Sequence, residues 1–209
     1  MMTTCGIILA AGMAQRFGSH KLLGDAGLLI KTHRALGAMP RVAGIRRDDD
    51  ALADLCRRHG IPFTTVATAE PSLLATVQCA LSSAPPATAY VILVADLKWI
   101  CQAAIARAVA AWERWPNQVL VPIWAGAAGE GPAPGHPVII PAAHRPAILQ
   151  LPAVADQSGL RHWLRTLPTG SIQRWLVDDP AYFRDVDVPE DLDCRPPTEA
   201  GGGIARDRQ

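Results

Sequence analysis

The chain lacks a paired-cysteine pattern, an excess of charge of either sign and any long apolar run, and each absence removes a class of function. Its five cysteines (Cys5, Cys56, Cys79, Cys101 and Cys194) are odd in number and never spaced as C-x-x-C. That argues against a disulfide framework and a structural zinc site, and most of them are expected to be buried thiols. Formal net charge is +1, so no overall field draws the protein to nucleic acid or to an acidic membrane. A small anion held by a few local groups remains open. The apolar run from Cys5 to Ala11 is far too short to span a bilayer and follows no basic segment, so the cytoplasm is the expected location. Neither G-x-x-x-x-G-K-[ST] nor G-x-G-x-x-G occurs. His20, His33, His59, His144 and His162 have no metal-like spacing and are expected at the surface.

What is present suits one soluble domain. Of 209 residues, 49% are apolar and 19% charged, enough to build a sizeable core. The domain is assigned to residues 1–194. Residues 195–209, with Pro-Pro and Gly-Gly-Gly, have too few apolar side chains to pack and are expected to be a disordered tail. Short β-rich runs alternate with helical stretches. Strands are expected at 6–10, 42–45, 63–66, 90–94, 118–122 and 138–140, with helices at 28–37, 48–59, 72–83, 103–115 and 159–167. Residues 125–135 read as a Gly/Pro-rich loop. Of the six tryptophans, Trp99, Trp112, Trp115, Trp163 and Trp175 read as core and interface packing rather than a stacking platform. Such alternation implies an α/β fold, a mostly parallel twisted sheet with right-handed crossovers. Ligands sit beyond the carboxyl ends of such strands, which selects the turns after Ala10 and after Val94.

The first turn, Leu9-Ala10-Ala11-Gly12-Met13-Ala14-Gln15-Arg16-Phe17-Gly18-Ser19-His20-Lys21, leaves a buried strand carrying two cations. Small residues at 10–12 let the backbone approach a ligand, and successive N–H groups can form an anion nest. Arg16 and Lys21 then supply countercharge for phosphates. An ordinary strand-to-helix turn with both cations solvated is the alternative on these grounds alone.

This segment resembles the L-A-A-G-x-S-x-R-M-G-x-x-K signature of MobA-like nucleotidyltransferases, in particular the molybdenum-cofactor cytidylyltransferases. Gly12, Arg16, Gly18 and Lys21 match it, while Ala14 replaces the usual serine and Phe17 the usual methionine. Further matches follow in order. Leu74–Leu81 is similar to the S-L-x-x-G-L helix start, with Thr76 in place of serine, and Val94–Ile100 to G-D-M-P-W-I. Gly135-His136-Pro137-Val138 reproduces G-H-P-V, Asp156–Arg161 is like G-D-x-G-A-R with one residue extra, and Asp185–Leu192 differs by one residue from D-V-D-T-P-E-D-L. The resemblance spans residues 5–193 and implies a three-layer α/β/α Rossmann-like fold.

It also implies a chemistry. Leu9, Ala10, Ala11, Gly12, Arg16, Lys21, Thr76 and Asp96 would bind the nucleotide, with Arg16, Lys21 and Asp96 catalytic. Asp96 and Asp187 would hold Mg²⁺, and Gly135 and His136 would lie near the acceptor. Ala11, completing L-A-A-G rather than L-A-G-G, points to CTP. The implied partners are CTP (or another NTP) and a phosphate-bearing acceptor, molybdopterin, with a molybdoenzyme or its chaperone receiving the product. Read from the residues alone, a helix N-cap is the lesser alternative for Asp96, while His136 could equally be a structural histidine satisfied by backbone. Asp185 and Asp191 read as a turn former and a helix-start residue, with Pro189 in the first helical turn. Lys98 stands where the family has proline. In an extended chain it would share a side with Asp96 and could pair with it, touch departing pyrophosphate or point to solvent, the reading favoured here. Two other functions therefore remain: transfer to a sugar or alcohol phosphate, and a nucleotide- or cofactor-binding accessory protein whose metal site Lys98 has disabled.

Overall fold

The computed structural model describes residues 2–12, 21–24, 27–67, 72–124, 133–152 and 159–193. Eight strands form one sheet: β1 (Thr4–Leu9), β2 (Arg41–Arg46), β3 (Phe63–Val66), β4 (Ala89–Val94), β5 (Val119–Trp124), β6 (Ala133–Pro134), β7 (Val138–Pro141) and β8 (Ile172–Leu176). The helices are α1 (Leu28–Ala35), α2 (Asp50–Arg58), α3 (Leu73–Ser83), α4 (Gln102–Glu113), α5 (Arg145–Leu149) and α6 (Gly159–Thr166).

β1 is buried along almost its whole length, and the period-2 alternation of side chains divides it between two cores. Ile8 packs with buried residues of α1, α2 and α4 on one face of the sheet. Cys5, Ile7 and Leu9 pack with α3, α5 and α6 on the other. A strand enclosed on both sides must read as a continuous apolar run, and this one does. The result is the expected three layers, helix on sheet on helix.

Strands β3-β2-β1-β4 lie side by side and parallel. The chain winds outward from β1 through β2 to β3, then returns to place β4 on the opposite flank of β1. That reversal makes a crevice between the carboxyl ends of β1 and β4, the place where such sheets bind ligands. Beyond β4 the sheet departs from the expected parallel run: β7 is antiparallel to both β4 and β5, while β8 runs parallel to β5. β6 falls within the segment read as loop and pairs with Ile123 and Trp124, joined to β7 by a turn containing a cis His136–Pro137 peptide. The proposed tail at 195–209 lies outside the described residues.

Local chemistry sets the helix ends. Asp49 accepts from Leu52 N–H at the start of α2, and Ser72 from Ala75 N–H at the start of α3, each satisfying an otherwise unpaired donor. Arg41 on β2 donates to the carbonyls of His33, Gly37 and Met39 at the end of α1. Cys5 and Cys56 are buried as expected, and burial pushes both thiols up to about 11, which keeps them protonated and unreactive. Cys79 is half-buried and Cys101 exposed. Among the tryptophans, Trp112 and Trp163 are buried and Trp115 is exposed. Among the described residues no helix is long and apolar enough to cross a membrane.

α3 approaches the sheet closely because β2 presents a glycine to it. A Cβ added at Gly44 would stand 2.8 Å from Thr76 Cγ2 and 3.2 Å from the Thr76 carbonyl oxygen. Gly44→Ala should therefore push the first turn of α3 outward and destabilise the fold by about 1–3 kcal/mol, read as a lower urea midpoint with an unchanged slope.

Candidate active site

A cavity of about 300 Å³ opens at the crevice between β1 and β4. Leu9, Ala10, Ala11 and Gly12 line one wall, Leu73 and Thr76 of α3 another, and Val94, Ala95 and Asp96 a third, with Lys21 and Leu22 completing it. Seven residues assigned to the nucleotide from the sequence, namely Leu9, Ala10, Ala11, Gly12, Lys21, Thr76 and Asp96, thus meet in one place. Arg16, the eighth, lies outside the described residues.

The backbone around the cavity continues the sheet past the strand ends. Ala10 N–H donates to Gly44 carbonyl, and Ala95 N–H to Leu9 carbonyl, so the turn after β1 stays in register with the turn after β4. Thr32, fully buried on α1, donates its hydroxyl to Ala95 carbonyl at 3.1 Å. A distant segment then joins: Val186 N–H donates to Asp96 carbonyl, and Lys98 N–H to Arg184 carbonyl. These two bonds frame an antiparallel bridge between Leu97 and Asp185. Asp96 is therefore held by backbone bonds on either side of its own side chain.

Lys21 crosses the cavity mouth to this aspartate. Its Nζ lies 2.6 Å from Asp96 Oδ2 and 2.8 Å from Val186 carbonyl. The two side chains are only 14% and 19% exposed, so solvent screens the pair far less than it would at an open surface. Asp96 Oδ1, buried, has no hydrogen-bond partner among the described residues. An ionised carboxylate oxygen left bare is costly, and a hard cation is a natural partner for it. Among the described residues no group of three or more His, Cys, Asp or Glu could hold an ion alone. Mg²⁺, which needs one or two carboxylates and completes its shell with phosphate oxygens and water, fits this donor set.

The segment 184–187 supplies further acidity. Residues 185 and 187 alternate with buried Val186 and so share its opposite face. Asp185 is exposed by area, yet surrounding protein is dense enough that burial raises its pKa, reinforced by the carboxylates of Asp187 and Asp96 and opposed by Lys21. Asp187 is exposed, and its N–H donates to Asp191 Oδ2 at 2.8 Å. Val188 N–H donates to the same oxygen, so Asp191 satisfies the loose donors that begin the turn Pro189–Leu192.

The lysine near Asp96 is not the one the sequence put in question. Lys98, expected at the solvent or against Asp96, instead donates to Asp191 carbonyl and lies 5.4 Å from the centre of the Trp99 ring. Lys98 is half-buried. Proline is replaced here by a residue that ties the turn at 189–192 back to the segment after β4.

The residues assigned to the acceptor sit apart from the cavity lining. Gly135 is buried, and a Cβ there would meet Phe183 and Tyr182 carbonyl at 2.5 Å, so its lack of a side chain serves packing. His136 donates its N–H to Tyr182 carbonyl, and its Nδ1 is 3.4 Å from Ile92 carbonyl. Some of its surface reaches solvent, but burial lowers its pKa, opposed by the Ile92 carbonyl and the Asp96 carboxylate. The imidazole is therefore neutral at pH 7. Sequence reasoning missed Thr32 and Val186 carbonyl. Thr32 left a trace: it shares a helical face with Leu28, Leu29 and Ala35, a polar residue on an apolar stripe. A backbone carbonyl leaves none.

Comparison with known proteins bears on the family and the fold. The MobA-like NTP transferase domain matches residues 6–172, a span that stops short of the 184–187 segment. No curated protein matches the chain. Among solved structures, Rv0371c from Mycobacterium tuberculosis H37Rv aligns at TM-score 0.72 and 20% identity, covering 92% of this chain and all of that one. The manganese complex of the M. tuberculosis H37Rv Rv0371c protein aligns at TM-score 0.67 and 18% identity, over 91% of this chain and 96% of that one. A CMP:2-keto-3-deoxy-manno-octonic acid synthetase complexed with CTP aligns at 0.69 and 15%, over 91% and 95%. At these identities the likeness is one of fold. The match over 6–172 goes further: this chain belongs to the MobA-like NTP transferase family.

Proposed function

We propose that the protein transfers CMP from CTP to the terminal phosphate of molybdopterin carrying molybdenum, releasing pyrophosphate. The observation that carries this reading is the pairing, across one cavity, of a cation from the turn after β1 with a carboxylate from the turn after β4. A triphosphate laid along Leu9–Gly12 would meet backbone N–H groups, with Lys21 at its charged end. Ala11 favours cytosine by the family pattern, and the first turn of α3, through Thr76, would border the base or ribose. Thr76 Oγ1 already donates to Ser72 carbonyl at 3.1 Å, so it would offer the ligand an acceptor.

In the reaction an acceptor phosphate oxygen attacks the α-phosphorus, and the bond to the β-phosphate oxygen breaks. The acceptor is already an anionic nucleophile, so no strong base is needed; positioning and charge neutralisation supply the rate. Lys21 would follow negative charge toward the departing pyrophosphate. Mg²⁺ bound by Asp96, with Asp187 as its second carboxylate, would neutralise the triphosphate. Neutral His136 would be limited to hydrogen bonding, on the acceptor side. The bond from Lys98 to Asp191 carbonyl supports an intact metal site over the reading of a disabled binding protein. A sugar or alcohol phosphate acceptor stays as the second reading, since the fold is shared with a CTP-bound synthetase named for a sugar acid rather than a pterin.

Lys21→Ala and Asp96→Ala should each lower Mg²⁺-dependent pyrophosphate release by about 10²–10³-fold or more, with circular dichroism unchanged. Full activity in either variant would refute the assignment. Calorimetric titration should show saturable binding of CTP that requires Mg²⁺, with GTP much weaker; equal binding of GTP would remove the role given to Ala11. Pyrophosphate release that needs no molybdopterin, but proceeds with a sugar phosphate, would transfer the reading to the second acceptor class.

A further inference from the structure

The contact that identifies the site also obstructs it. Asp96 Oδ2 is taken by the Lys21 ammonium at 2.6 Å, and the same ammonium is tied to Val186 carbonyl at 2.8 Å. Among the described residues, Oδ1 is left without a partner. A divalent ion arriving alone would meet a positive charge within a few ångströms, in a place where solvent screens poorly. To take both oxygens it would have to expel Lys21, whose ammonium would then keep only the Val186 carbonyl. A nucleotide changes this balance, because its phosphates offer the expelled ammonium a new anionic partner.

We infer that Lys21 is an internal cation that holds the metal position closed until a triphosphate draws it away, so that metal and nucleotide bind interdependently. This rests on the reading of Asp96 as the metal-holding residue. Three consequences follow from the geometry. Free divalent ions bind the apoprotein weakly. Nucleotide raises metal affinity, and metal raises nucleotide affinity by the same factor, since the coupling is reciprocal. Release of Lys21 also frees Val186 carbonyl, loosening one tie between the turn after β4 and the segment 184–187, where Asp187 lies. The carboxylate pair would thus adjust to the ion only when nucleotide is present.

The test uses Mn²⁺ as a paramagnetic probe, titrated without nucleotide and followed by the free-ion electron paramagnetic resonance signal. Wild type, K21M, K21R and the double variant K21M/D96N are compared after their folds are checked by circular dichroism and thermal unfolding. K21M removes the charge and keeps a similar volume; it should bind Mn²⁺ on the order of tenfold tighter than wild type, within the usual range of site coupling. K21R keeps the charge and should bind no more tightly than wild type, which separates electrostatic exclusion from a general loosening of the site. K21M/D96N should lose the gain. In wild type, CTP should tighten Mn²⁺ binding by a similar factor. If K21M binds Mn²⁺ no more tightly than wild type while K21M/D96N binds it more weakly than both, the internal-cation role is overturned and the nucleotidyl-transfer reading stands. Should K21R gain affinity as K21M does, charge exclusion is likewise overturned. If K21M/D96N binds Mn²⁺ as well as K21M, Asp96 does not hold the ion and both readings fall together.

Discussion

A single ammonium group joins three parts of the chain that are far apart in sequence. Lys21, beyond the turn after β1, meets Asp96 from the turn after β4 and Val186 from the segment near the carboxyl end. The sheet brings the first two together: β1 and β4 pair in register from Thr4↔Ala89 to Leu9↔Val94, so their following turns start at the same height. The third part is brought by backbone alone, through the bonds of Val186 and Lys98 to the turn after β4. Cation, carboxylate and open volume thus meet where the topology reverses.

The surrounding structure serves to hold Asp96 still. Thr32 fixes Ala95 carbonyl from the helical layer, Leu9 carbonyl holds Ala95 N–H from the sheet, and Val186 N–H holds the Asp96 carbonyl. These bonds fix the backbone from which the Asp96 carboxylate projects. Preorganisation of this kind costs stability in the free protein and is recovered on binding. Gly44 contributes from a distance, since only a residue without a side chain lets α3 bring Thr76 to the cavity wall.

Much of this was readable from the residues, and the exceptions have physical causes. The central strands were legible because burial on both faces forces unbroken apolar runs, as in Ile7-Ile8-Leu9 and Val91-Ile92-Leu93. Helix starts were legible where Asp49 and Ser72 cap them. β8 was not foreseen: Ile172-Gln173-Arg174-Trp175-Leu176 alternates little and ends on an exposed leucine, because it pairs with β5 at the sheet margin and buries only part of one face. The antiparallel course of β7 was hidden too, since Val138-Ile139-Ile140 would look the same in either direction. α5 was missed for its brevity and its Pro146. At the site, the residue types pointed to Lys21 and Asp96 but not to their mutual bond, and Lys98, conspicuous by replacing proline, turned out to be engaged with Asp191 carbonyl.

The choice of lysine rather than arginine at position 21 follows from the same geometry. An ammonium is a compact point charge with three donors; two are used here, on Asp96 Oδ2 and Val186 carbonyl, and the third remains to reach into the cavity. It can therefore engage a phosphate before it has fully left the carboxylate, and the exchange need not pass through an unpaired buried charge. A guanidinium would span both carboxylate oxygens in a planar fork, covering Oδ1 as well and retaining the aspartate against both metal and nucleotide. Lysine holds Asp96 firmly enough to neutralise it in the free protein and through one oxygen only, which leaves a route for its replacement by a more highly charged ion.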